Sequence, residues 1–276
     1  MRPGRLGRFG LNALGVAVFL VMIFPVYWMV STAFKPGRDL FANTPEWFPY
    51  HPTLSNFADA IHRANFWDAV MNSVIIATVV VALSLILALL AALALAKFDF
   101  YGRGGIIVLI IAVQMIPLTA LIIPLSVVLA KAHQVDKLSG VIVTYLAFVL
   151  PFIIWTLRGF MLGIPRDLEE ASMVDGTTRF GAFVRILLPL VGPGLVATSI
   201  FAFIQAWNEY IMAYVLLRDP DKQTLTLWLA SFSTTRGTAW GPLMAGATLT
   251  ALPVVIFFVA VQRRIAFNLT AGAVRG

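Results

Sequence analysis

Residues 168–193 read LEEASMVDGTTRFGAFVRILLPLVGP, two short helices joined by a turn and set between long apolar runs. Pro165 suits the first position of a helix, and Asp167, Glu169 and Glu170 in its first turn complement the positive end of the helix dipole. Asp175-Gly176 signals a corner, because glycine accepts the left-handed conformation that ends a helix, and Thr177 or Thr178 can cap the second helix. Beyond the corner Phe180, Phe183, Val184 and Leu187 recur at helical spacing, so one face is apolar while Arg179 and Arg185 occupy the other. The stretch presents a bent, ridged element to something outside itself.

Composition says what surrounds it. Of 276 residues, 60% are hydrophobic and only 12% charged, whereas soluble domains carry about 25% charged residues. Such a balance belongs to an all-α, polytopic membrane protein. The absence of cysteine excludes a disulfide framework and thiol chemistry. A net charge of +7 does not point to nucleic acid, since the basic residues flank apolar spans and form no run.

Six membrane helices are expected, near residues 11–33, 71–96, 106–130, 139–160, 190–217 and 242–261, each close to the roughly 20 residues that cross a bilayer. A loop at 35–68, rich in proline and carrying Trp47, Phe48, Tyr50, Phe66 and Trp67, reads as an outer interfacial segment ending in a helix from about Ser55. In the second span Ser84, Ala88, Ala92 and Ala96 form a small-residue face for close helix packing. The third span holds Gln114, Pro117 and Pro124, and is expected to face the bundle interior, where freed carbonyls find partners. Arg2, Arg5 and Arg8 before the first span place both termini in the cytoplasm. The layout is a cytoplasmic N-terminus over 1–10, a six-helix transmembrane domain over 11–264 that includes the outer loop at 35–68 and a cytoplasmic loop at 161–188, and a cytoplasmic tail over 265–276.

Glu170-Ala171-Ser172, then Gly176, then Ile186, Leu188 and Pro189 match without gaps the pattern E-A-A, three residues, Gly, nine residues, I-x-L-P. This resembles the EAA signature of permease subunits of binding-protein-dependent ABC importers, with Ser172 where a second alanine is usual. The tail FNLTAGAVRG, residues 267–276, is similar to the end of MalG-type carbohydrate permeases, with Asn268 for glycine and Arg275 for lysine. The resemblance implies a MetI/MalG-like fold in a prokaryotic plasma (inner) membrane, and a coupling helix that docks on an ATPase. Glu170, Ala171, Ser172, Asp175, Gly176, Phe180 and Phe183 are its candidate contact residues. Implied partners are a second homologous permease subunit, two ATPase subunits, an extracellular solute-binding protein and the lipid bilayer.

No G-x-x-x-x-G-K-[ST] phosphate loop occurs, so the energy source is expected in another polypeptide. The chain is read as a non-catalytic subunit without cofactor, and His51, His62 and His133 are too scattered to suggest a metal site. Glu209 is the only acidic residue within an expected span, and with Gln114, Tyr145, Gln205 and Asn208 it is a candidate for the lining of a translocation pathway. A solute importer, most simply of sugars, is the leading reading. An ion-coupled secondary carrier is the alternative, disfavoured by a lone intramembrane acid and by the lack of a visible inverted repeat. A membrane enzyme has no clustered acid, base or nucleophile to support it.

Overall fold

The computed structural model describes residues 5–42 and 44–273, with side chains over 11–42 and 44–261. The helices in order are α1 (Arg5–Ala33), α2 (Gly37–Leu40), α3 (Ser55–Ile61), α4 (Phe66–Lys97), α5 (Arg103–Gln114), α6 (Leu118–Lys131), α7 (Leu138–Leu162), α8 (Asp167–Val174), α9 (Arg179–Ala182), α10 (Leu188–Asn208), α11 (Ile211–Leu216), α12 (Leu225–Ala230) and α13 (Trp240–Ala273). A π-helical segment, Phe183–Leu187, fuses α9 to α10, so Arg179–Asn208 runs as one span. Among the described residues five helices are long and apolar enough to cross a membrane, and the pair α5 and α6 passes the same test only together. Two two-residue strands, β1 (Ser233–Thr234) and β2 (Gly237–Thr238), pair antiparallel as a small hairpin.

The expected third span is not one helix. α5 and α6 meet at a bend of 103°, because Pro117 has no N–H to donate and its ring excludes the helical conformation from Ile116. Pro117 itself is extended, at φ −66° and ψ 134°, and starts the second half. Nor does this element face inward in the single chain. α5 has no buried residue and α6 buries only Leu129.

The chain divides into two compact units, residues 1–66 with 228–252, and residues 67–227 with 253–276. In the first unit the end of α1 is tied down by Asn56, whose Nδ2 donates to the carbonyls of Ala33 at 2.9 Å and Lys35 at 2.8 Å. Phe66 does not join the other loop aromatics at the interface, as its place in the sequence suggests; it is 6% exposed, its ring centroid 5.0 Å from that of Trp228. Trp47, Phe48, Tyr50 and Trp67 are exposed.

In the second unit the small-residue face of α4 does pack. Ala88, Ala92 and Ala96 are buried in one cluster with Val149, Ile153, Leu157 and Met161 of α7 and with Val191 and Ala202 of α10. Helices in lipid associate by close packing, since the solvent is as apolar as their side chains.

The turn between α6 and α7 is bound to the chain beyond α11 through Asp136. Its Oδ1 accepts from the amides of Arg218 and Asp219, both at 3.0 Å, and its Oδ2 lies 3.1 Å from Lys222 Nζ. Those amides, chiefly, and the Lys222 ammonium hold the Asp136 carboxyl at about 2, below the usual 3.8. A depressed carboxyl contributes stability above its unfolded value and loses it as pH falls to the folded one. The Arg218 and Asp219 amides should therefore lose hydrogen-exchange protection between about pH 4 and pH 2, and Asp136→Asn should remove that pH dependence.

Candidate functional site: an exposed elbow on the transmembrane bundle

The elbow runs from Asp167 through the start of the Arg179–Asn208 span. α8 carries Asp167, Glu169 and Glu170 in its first turn and ends at Asp175, after which Gly176 adopts φ +89°. The two threonines divide the labour. Thr178 is the cap, its Oγ1 accepting from the Gly181 amide at 3.1 Å. Thr177 turns back instead, its Oγ1 donating to the Ser172 carbonyl at 2.7 Å and its hydroxyl hydrogen-bonded to that of Ser172.

Ser172 is therefore a buried corner brace, 7% exposed, and does not belong to the outward surface expected of the signature. Glu170, Ala171, Asp175, Gly176 and Phe180 are exposed, and Phe183 is half-buried. The apolar face after the corner splits: Leu187 turns into the core while Phe180 is 74% exposed. Val174, at 87%, extends the outward ridge. Val174 and Phe180 thus leave apolar side chains exposed on the same elbow as the exposed charges of Glu170 and Arg179.

The elbow is anchored by a residue that the motif does not contain. Lys97, the last residue of α4, places its Nζ 2.6 Å from Glu169 Oε1 and 3.1 Å from the carbonyl of Ile164, with only 8% of its side chain exposed. Arg158 makes a second tie to the same helix end, its Nε donating to the Leu95 carbonyl at 3.3 Å. A cleft of about 250 Å³ opens beside these anchors, lined by Lys97, Arg166, Glu170, Arg179 and Phe183 among others. The one sequence signal for Lys97 is a lone cation closing a long apolar helix, where it reads equally well as a membrane boundary.

Of the candidate pathway residues, the structure brings together two. The fifth span ends at Asn208, not near residue 217, because Glu209 turns extended and caps α11. Its carboxylate accepts from the amides of Met212 at 2.9 Å and Ala213 at 3.2 Å, and from Tyr145 Oη at 2.6 Å. Tyr145 is 2% exposed. Gln114, Gln205 and Asn208 are all exposed and lie apart from that pair in the hydrogen-bond network. Glu209→Ala should cost about 2 kcal/mol, the sum of a lost cap and an unpaired buried hydroxyl, read as a lower unfolding temperature of the purified assembly. Unchanged stability with altered transport would instead mark Glu209 as a lining group.

The fold and the elbow define a class: a membrane protein of several spans with an exposed two-helix corner set between two of them. Residues 84–270 match the model of the binding-protein-dependent transport system inner membrane components, and the chain belongs to that family. It is 43% identical over 276 residues, the whole of both chains, to the diacetylchitobiose uptake system permease protein DasC of Streptomyces coelicolor. It is 35% identical over 262 residues to the arabinooligosaccharides transport system permease protein AraQ of Halalkalibacterium halodurans, covering 94% of this chain and 93% of that one. Its fold is that of a chain in the crystal structure of a bacterial ABC transporter involved in import of the acidic polysaccharide alginate, with a TM-score of 0.81 at 23% identity over 95% of this chain and 99% of the other. The alternative of an ion-coupled carrier is not favoured by these similarities.

Proposed function

We infer that the chain forms half of the translocation pathway of a sugar importer and transmits to it the work of ATP hydrolysis performed by a separate subunit. The exposed elbow carries this reading: a two-helix corner, braced by Ser172 and Thr177 and anchored by Lys97, can move as a body when a partner grips it. Glu170 is suited to a charge-assisted bond with a basic group on the ATPase, and Val174, Phe180 and Phe183 to burial in its cleft. Two ATPase subunits beneath two permeases place the elbow, and with it both termini, in the cytoplasm.

A sibling permease is the fitting cover for α5 and α6. Val108, Leu109, Met115 and Ile123 are 62–81% exposed there, and Gln114 stands among them. An amide on a lipid-facing surface is costly, whereas facing a partner or an aqueous pathway it can be satisfied. The relatives' sugars, diacetylchitobiose and arabino-oligosaccharides, indicate a short oligosaccharide as solute, delivered by an extracellular binding protein.

The test is uptake by proteoliposomes holding the complete transporter, with radiolabelled diacetylchitobiose and an arabino-oligosaccharide as solutes. Uptake that requires both ATP and the binding protein supports the reading. Uptake driven by an ion gradient without ATP would overturn it.

A further inference from the structure

A niche of about 310 Å³ lies wholly within the first unit, between the end of α1, the α2 turn, the segment before Trp47 and the start of α13. Its lining includes Trp28, Thr32, Lys35, Asp39, Glu46 and Trp240. Three oxygens of that lining are buried without a hydrogen-bond partner: Thr32 Oγ1, Asp39 Oδ2 and Glu46 Oε2. Thr32 is 8% exposed and the Asp39 side chain 9%. Folded proteins leave only a few such groups unpaired per 100 residues, so three gathered around one cavity point to an external donor. Lys35 is already engaged, its Nζ donating to the Glu46 carbonyl at 2.5 Å and lying 4.2 Å from the centre of the Trp28 ring.

The lining selects its ligand by chemistry. Two carboxylates repel an anion, and a purely apolar molecule leaves the three oxygens unpaired. The Lys35 ammonium opposes a bare metal ion. A polyhydroxylated ring meets every requirement: its hydroxyls donate to the carboxylates and exchange a bond with Thr32, and its C–H face packs on the indoles of Trp28 and Trp240. The volume sits at the low end of the ~300–1,000 Å³ usual for small-molecule sites, room for one ring. We propose that this niche is a sugar-binding subsite of the permease itself, apart from the candidate pathway residues, that holds a single pyranose-type unit of the solute. The proposal rests on the sugar-importer reading.

Saturation-transfer NMR on the complete transporter in nanodiscs, without its binding protein, tests it with diacetylchitobiose and an arabino-oligosaccharide as probes. At least one probe should give ring-proton signals, and Thr32→Val, near-isosteric and so tolerated by the fold, should weaken its apparent affinity about tenfold, as should Asp39→Asn and Glu46→Gln. Signals unchanged in all three variants overturn the subsite. So does a wild-type transporter that gives no signal yet imports a probe with ATP and the binding protein, an outcome that leaves the importer reading intact. Variants that weaken docking of the binding protein, with no sugar signal in the wild type, would assign the niche to protein contact instead. Absence of both signal and ATP-driven uptake for either sugar defeats subsite and importer together.

Discussion

Replacing Gly176 by arginine is expected to leave the subunit in the membrane while ATP-driven uptake falls by about tenfold or more and ATP hydrolysis continues. Gly176 sits at φ +89°, a conformation that costs an L residue roughly 1–2 kcal/mol. No heavy atom stands within 4 Å of a Cβ built there. The arginine therefore meets open space in its own chain, and its damage lies in the strained corner and in the bulk it adds to the proposed docking ridge. Glu170→Lys probes the same surface without the strain. Glu170 is exposed, so under the proposed coupling role its reversed charge acts on the ATPase, and loss of one central contact in an interface is worth about 2 kcal/mol or more. Parallel assays of uptake and ATP hydrolysis in proteoliposomes decide the matter, and normal uptake by both variants would remove the coupling role from the elbow.

Lys97→Met should loosen the elbow from within. It leaves the Glu169 carboxylate, whose side chain is 22% exposed, without its ammonium, and frees the Ile164 carbonyl. Breaking a fully buried pair costs about 3–5 kcal/mol, and partial access of Glu169 to solvent lowers the expectation here to about 2 kcal/mol. Amides from Ile164 to Gly176 should exchange faster, and uptake should fall with them. Adding Glu169→Gln removes the uncompensated charge, so the double variant should recover much of the lost stability while the elbow stays detached and uptake stays low. Equal loss of stability in the single and double variants would show that packing of the lysine stem, not its charge, holds the corner.

These expectations separate two kinds of information in the chain. The corner at Asp175-Gly176 is legible in the sequence because the left-handed glycine is a local requirement of the turn, and the gap-free spacing of the signature around it is likewise local. The small-residue face of α4 is legible for a similar reason, since a period of four places Ala88, Ala92 and Ala96 on one side of any helix. The division of roles between Thr177 and Thr178 is open in the sequence, both being competent caps. The fold assigns them by bringing the Ser172 carbonyl within reach of one only.

Apolar length by itself determined that the chain crosses a membrane several times, because a bilayer imposes a nearly fixed number of residues on each crossing. Local spacing determined that an exposed elbow interrupts those crossings. Only the tertiary structure decided that Glu209 receives Tyr145, that Lys97 anchors Glu169, and that Phe66 leaves the interface for Trp228. Each of these joins residues far apart in the chain, and a hydrogen bond, an ion pair or a ring contact exists only once the fold holds both partners within reach, a condition that no single stretch of sequence can encode.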